Sequence, residues 1–364
     1  MQQSNRASMV YMMTNREASN EVIAFFRDMN GLLTFMGAYP TNGRGTGTRE
    51  VSPATANDGV DPLASQGSLT LSRDGRFLFA VNAGSNSISS FIITGNGGLV
   101  LADVKPSGGA QPNSLDGFGN LLYVSNVGSD ANHFASNISG FHIENNGRLT
   151  PIPGSTHSLS TMNAQPARVL FTSDGRKIVV SELTTNHLSV YHVSGNGTVT
   201  GPIINDSNGM GPFGSCYLSS GVLIVTEAFS NGLSSYSMSD NGILKVISGT
   251  VLNGQKTTCW VTTTRNERFA YTTNTLSGSI STYRIDGNGA LTVVGLTTST
   301  PVGSPTGLPI DAGVSKDGRH FYTLNGNQGT VSVFAINDDG SLVRLQVAAW
   351  ANSPYFGSQG LAAL

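Results

Sequence analysis

Two carboxylates in this 364-residue sequence stand where their type is out of place. Glu182 and Glu227 occupy the same position in two consecutive copies of a recurring phrase whose other copies carry Asn15, Asn82, Asn126, Asn274 and Asn325 there. Asn closes such a position by bonding its own backbone and tolerating a left-handed turn. Glu does this poorly, and local rules are broken most often at functional sites. A glutamate there could activate water or carry a proton. A second column, at the start of each copy, reads Ser68, Pro112 with Asn113, Arg168, Gly214, Trp260, Asp311 and a Gly360/Leu361 pair with Gln359 beside it. Arg168 could stabilise an oxyanion or hold a carboxylate, and His133, in the insertion Ser129–Asn137, could shuttle a proton. Asn82, Asn113, Phe213, Trp260, Asp311 and Gln359 are the side chains expected to bind substrate around them. Each has a plainer reading: Arg168 and Glu182 paired as a structural ion pair, Asp311 bonded to a neighbouring loop, Trp260 in the core, His133 and His187 solvated.

The remaining motifs narrow the chemistry. There is no G-x-S-x-G nucleophile elbow, phosphate-binding loop or H-E-x-x-H. Cys216 and Cys259 allow at most one disulfide and read better as buried thiols on adjacent strands. Glu182, Glu227 and the Asn column offer the oxygen ligands calcium takes, yet their spacing does not demand an ion, and no metal or other cofactor is expected.

The elements that position these residues follow from repetition. In five copies the Asn or Glu, an aromatic and an aliphatic residue follow at intervals of nine and eight, as in Asn82, Phe91 and Leu99. The copy through Asn126 and Phe141 carries six extra residues in its first loop, and the one through Asn15 and Phe25 carries one. Asp-Gly turns at 74–75, 174–175 and 317–318 and Asn-Gly turns at 30–31, 146–147, 196–197, 241–242 and 288–289 divide each copy into four strands. Seven such units predict an all-β, seven-bladed propeller, one domain over 1–364, with four antiparallel strands per blade. The blades are expected near 9–41 plus 358–364, 66–107, 111–159, 165–207, 212–253, 257–300 and 308–350. Residues 358–364 match an innermost strand that the first copy lacks, so the C-terminal strand should complete blade one and close the ring. The Asp-Gly and Asn-Gly turns then share one rim. The loops after each second strand and the connections into each innermost strand share the other, which varies in length and is the expected ligand face. The connections 42–64 and 151–165 are the long ones.

Composition agrees with this. Asp, Glu, Lys and Arg make up 12% of the chain, about half the usual share of roughly 25%, and glycine is abundant at 45 residues. A net charge of −2 without blocks of either sign argues against nucleic-acid and membrane-surface partners, and no apolar run approaches the roughly 18 residues that span a bilayer. A small molecule is the expected partner and a monomer the expected state. No signal peptide is visible, and sequons at Asn137, Asn196 and Asn205 leave secretion and cytoplasm both open.

Phrases such as Ser173–Glu182 and Tyr271–Tyr283 resemble the seven-bladed lactonase family, which includes propeller-type 6-phosphogluconolactonases and fungal 3-carboxy-cis,cis-muconate lactonizing enzymes. The resemblance covers residues 9 to 364. It implies the propeller fold and, through the muconate branch, active-site roles for Arg168 and Glu182. The histidine of that branch falls here on Asn113 or its neighbours. Either lactone hydrolysis or a cyclisation or cycloisomerisation, as in secondary metabolism, is consistent with these residues. The substrate would be small, neutral or carboxylated, because the variable rim carries few basic groups. The contrasting class is a non-catalytic secreted or surface propeller that binds a protein or glycan. A plugged mouth would favour that class, and an open one with Arg and Glu converging would favour an enzyme.

Overall fold

The computed structural model describes residues 8–51, 58–129 and 135–364. These form seven antiparallel sheets in chain order, and no α-helix occurs among the described residues. The strands follow the intervals in the sequence. In blade two they run Leu69–Leu71, Phe77–Asn82, Ser87–Ile93 and Leu99–Pro106, so Asn82 ends the second strand and Leu99 begins the fourth. In blade one, Leu361–Ala363 pairs with Met9–Met13, Tyr11 lying opposite Ala362, and supplies the innermost strand. Blade three differs in its outer edge, which is split into Leu149–Pro151 and His157–Ser158, both paired with Asn137–Ile143.

The second strands are buried along nearly their whole length, because both faces of each sheet are covered by neighbouring blades. Tyr11, Tyr123 and Tyr271 lie fully buried between blades. Their hydroxyls reach the Asn-Gly or Asp-Gly turn of the next blade, donating to the carbonyls of Gly97, Gly197 and Gly340 at 2.7–2.9 Å. A tyrosine so placed removes a large apolar ring from water while its one polar atom stays bonded. The fourth strands alternate exposed and part-buried residues, as outer edges should.

The innermost strands carry the feature that matters for a site. Five of them lose register just after they begin, between Pro112 and Ser114, Pro166 and Arg168, Pro212 and Ser215, Thr258 and Val261, and Ile310 and Ala312. Such bulges re-aim side chains and are common beside functional sites. The residues they free include Asn113, Phe213, Trp260 and Asp311. The backbone just before them is left-handed at Gln111, Gln165, Gly211 and Thr257.

Candidate functional site

The central channel is filled at its loop-side mouth by the chain itself. Residues 58–67, the last part of the long connection into blade two, run across the opening and contact five other blades or their approaches. The Gln66 side chain crosses to blade six, donating to the Val261 carbonyl at 2.9 Å and accepting from its N–H at 3.2 Å. The Gln66 N–H donates to Ala167 of blade four, and the Gln66 carbonyl accepts from Ser114 of blade three. Gln359, before the closing strand, gives its side-chain oxygen to Leu63 N–H at 2.7 Å and its amide to Ser65 O at 3.1 Å and Asp61 Oδ1 at 2.6 Å. Gly326 of blade seven packs on the Val60 carbonyl.

This plug changes the roles expected of several residues. Asn113 is fully buried, and its amide donates to the Leu63 and Pro166 carbonyls. Trp260 is fully buried, and its Nε1 donates to Ser65 O. Gln359 is fully buried as described. These three converge on the mouth, but their polar atoms are spent on residues 61–65 and, for Asn113, also on Pro166 and Ser125, so none has a face free for substrate. Asn82 is away from the channel, buried where blades one and two meet, with bonds to Asn20, Thr41 and Ser89.

Arg168 also faces inward. One of its terminal nitrogens donates to the carbonyls of Gln66 and Leu115 at 3.3 and 3.4 Å, and the other lies 3.9 Å from Asp116. Gly67 is required beside it: a Cβ there would fall on the guanidinium, and Gly67 has a φ of +86°. Among the described residues Arg168 forms no ion pair with Glu182 or Glu227. Burial outweighs the Arg168 charge at Asp116 and raises that carboxyl's pKa.

Glu182 and Glu227 do the work of the asparagines they replace. In blades two, six and seven the Asn side chain donates to a hydroxyl seven residues on, as Asn82 to Ser89, Asn274 to Ser281 and Asn325 to Ser332 at 2.8–2.9 Å. In blade four the direction reverses, and Ser189 donates to Glu182 at 2.6 Å. Glu182 also accepts from Thr185 and from both the N–H and hydroxyl of Ser160. Glu227 accepts from Ser207 at 2.7 Å and Tyr236 at 3.0 Å, and burial raises its pKa. Both glutamates are fully buried. Each closes its own blade against the connection entering it. His187 approaches Ser160 and Asp206 beside Glu182, and His133 lies outside the described residues.

The space at this mouth is a pocket of about 300 Å³ beside the plug. Its walls are mainly apolar, from Val60, Leu183, Phe213, Ala228, Phe229 and Leu276, with Asp61, Thr257 and the Cys259 thiol among its polar groups. Phe213, 2% exposed, stands edge-on to Trp260 at 4.9 Å and forms the floor. Leu183 and Ala228 directly follow the two glutamates in sequence. The pKa of the Asp61 carboxyl is raised well above the usual carboxylate range, first by burial and then by the nearby Glu50 and Asp311. Asp311 is pushed up to about 7 by burial, against the pull of the Ala312 and Leu361 N–H groups it accepts. The latter bond ties blade seven to the closing strand. Thr257 has a φ of +59°, rare for a β-branched residue, and its hydroxyl makes no hydrogen bond among the described residues. Cys216 and Cys259 are both free thiols. Asp61 and Thr257 were not singled out in the sequence; Asp61 sits in a connection without hydrophobic pattern, and a left-handed threonine leaves no compositional trace.

The family model described as lactonase, seven-bladed β-propeller, matches residues 1–151 and 222–363. Arg168 and Glu182 fall in the stretch between the two matched parts. Among solved structures, a Pseudomonas aeruginosa periplasmic gluconolactonase is 17% identical, with a TM-score of 0.73, covering 98% of this chain and 99% of that one. A Bacteroides fragilis protein described as a candidate 6-phosphogluconolactonase is 17% identical, with a TM-score of 0.72 and coverage of 100% and 99%. A virginiamycin B lyase from Staphylococcus aureus is more distant, 13% identical with a TM-score of 0.54 over 79% and 86%. At these identities the likeness to solved structures carries the fold alone. No curated protein sequence matches the chain.

Proposed function

Because the chain belongs to the seven-bladed β-propeller lactonase family, we propose that it hydrolyses a small neutral lactone in the mouth pocket, with Asp61 as the proton-transfer group. The observation that carries this is one carboxyl, fixed by the Gln359 amide and with its pKa raised by burial, in the wall of a mainly apolar pocket of about 300 Å³. A raised pKa suits a carboxyl group that must both give and take a proton. In the proposed step, water adds to the lactone carbonyl and the ring C–O bond breaks. Asp61 gives its proton to the departing ring oxygen and recovers one from the attacking water, leaving a hydroxy acid. The Thr257 hydroxyl is placed to hydrogen-bond the carbonyl oxygen as charge develops on it. Acidic neighbours and apolar walls disfavour a phosphorylated substrate here. Arg168, Glu182 and Glu227 then support the mouth from behind and do not touch the reacting atoms. Cyclisation of an open-chain precursor, as in secondary metabolism, would use the same carboxyl in the opposite direction.

The test is hydrolysis of a panel of neutral lactones by the wild type and Asp61→Asn. Loss of about 10²-fold or more in kcat/KM, with unchanged circular dichroism, supports the assignment. Equal turnover by the two proteins removes it. The plug supports a second reading, a propeller that holds a ligand in this pocket without converting it. Saturable lactone binding by the wild type with no hydrolysis would select that one.

A further inference from the structure

The opposite mouth of the channel, on the Asp-Gly side, has the reverse electrostatics. A cavity of about 410 Å³ opens there between blades two, six and seven and the closing strand. Arg73, Arg265, Lys316 and Glu267 line it together with the hydroxyls of Thr262 and Thr263. The turns that join first to second strands, at 72–76, 172–176, 264–268 and 315–319, hold seven cations against four acids, in a chain whose net charge is −2. Those acids are already engaged. Asp74 pairs with Arg76 at 2.6 Å, Asp317 with Arg27 at 2.8 Å, and Asp174 lies 3.9 Å from Arg176. Glu267 accepts from the N–H and hydroxyl of Ser219 at 2.8 and 2.7 Å. Arg73 lies over the Phe118 ring and points its nitrogens at carbonyls of blades three and four. Arg265 and Lys316 are exposed and make no hydrogen bond or ion pair among the described residues.

We propose that this mouth binds a small polyvalent oxyanion, a phosphate ester or a polycarboxylate, between Arg265 and Lys316, with the threonine hydroxyls as further donors. Two unpaired cations at the edge of one concavity, with the four acids of the surrounding turns already engaged, attract such a group and hold it by charge-assisted bonds. The concave shape selects a small anion over an extended one. This site is independent of the lactone pocket at the other end of the channel.

Calorimetric titration at low ionic strength with pyrophosphate, and separately with citrate, tests it. Saturable one-to-one binding of at least one anion is expected, at least tenfold weaker in the double variant Arg265→Gln/Lys316→Gln. The control Lys245→Gln/Arg284→Gln, which removes the same charge from blades five and six outside the cavity, should bind as the wild type does. Preference for pyrophosphate or citrate tells a phosphate ester from a polycarboxylate. Absence of saturable binding by both anions, or equal weakening in the control, overturns the proposal.

Discussion

The indole N–H of Trp260 in blade six donates to the carbonyl of Ser65, on the approach to blade two, at 3.0 Å. The same carbonyl accepts from Gln359 on the other side. A residue that a propeller could offer to a ligand at its mouth is here locked onto the protein's own plug, and the pocket is displaced to one side of it.

Replacing Trp260 by Phe should therefore lower stability by about 1–3 kcal/mol, since one donor is lost and the buried ring shrinks. Chemical denaturation of the two proteins measures it. An unchanged midpoint would mean that the plug does not need this bond.

Gly67 and Arg168 compete for one volume. Gly67→Ala should cost more than about 1 kcal/mol through its positive φ alone, and more again by displacing the guanidinium. In a double-mutant cycle with Arg168→Ala, the two losses should fall short of additivity by at least about 0.5 kcal/mol, as they do for residues in contact. Additive losses would show that the two positions do not touch.

Glu182→Ala strips the acceptor from Ser160, Thr185 and Ser189 and should destabilise the fold by about 2–3 kcal/mol. Glu182→Gln, which keeps one acceptor oxygen, should lose less, and lactone turnover per folded molecule should change little in either variant. A large loss of turnover in Glu182→Gln at full stability would return this residue to the reacting centre.

Asp311 makes stability depend on pH. Its folded pKa of about 7 lies above the ordinary 3.8, so the folded state holds the proton more tightly than the unfolded chain does. The stability this contributes is complete below pH about 4 and is lost as pH rises through about 7. Asp311→Asn keeps an acceptor oxygen and suits the φ of +54° at this position, so it should gain on the wild type progressively over that range, by on the order of 2–4 kcal/mol. Asp61 titrates in the same direction, and Asp61→Asn should remove a further part of the slope. Parallel curves for wild type and Asp311→Asn from pH 4 to 8 would contradict this.

The blades, their order and the closing strand were legible in the sequence because a period-two strand pattern between Gly turns, repeated seven times, has few other solutions. The plug was not legible. Leu63, Ser65 and Gln66 engage other blades through backbone groups, which every residue possesses, joined by one serine hydroxyl and one glutamine amide, and their partners are 48 to 296 positions away. The two glutamates were visible as exceptions, but a hydroxyl follows each at the same interval of seven, at Ser189 and Ser234, as at Ser89, Ser281 and Ser332. That interval, which is structural, held the explanation of the exceptions. Asp311 was seen, and its bond to Leu361 matches the plainer of its two readings.

The closing strand bears on synthesis. The innermost strand of the first blade comes from Leu361–Ala363, far along the chain, and just before it Gln359 fastens Leu63 and Asp61. A nascent chain emerging from the ribosome can assemble blades two to six in order, yet the mouth pocket needs an amide encoded 298 residues after the carboxyl it steadies. The mouth pocket is thus completed only once residues 359–363 are in place, in the same event that makes the ring continuous.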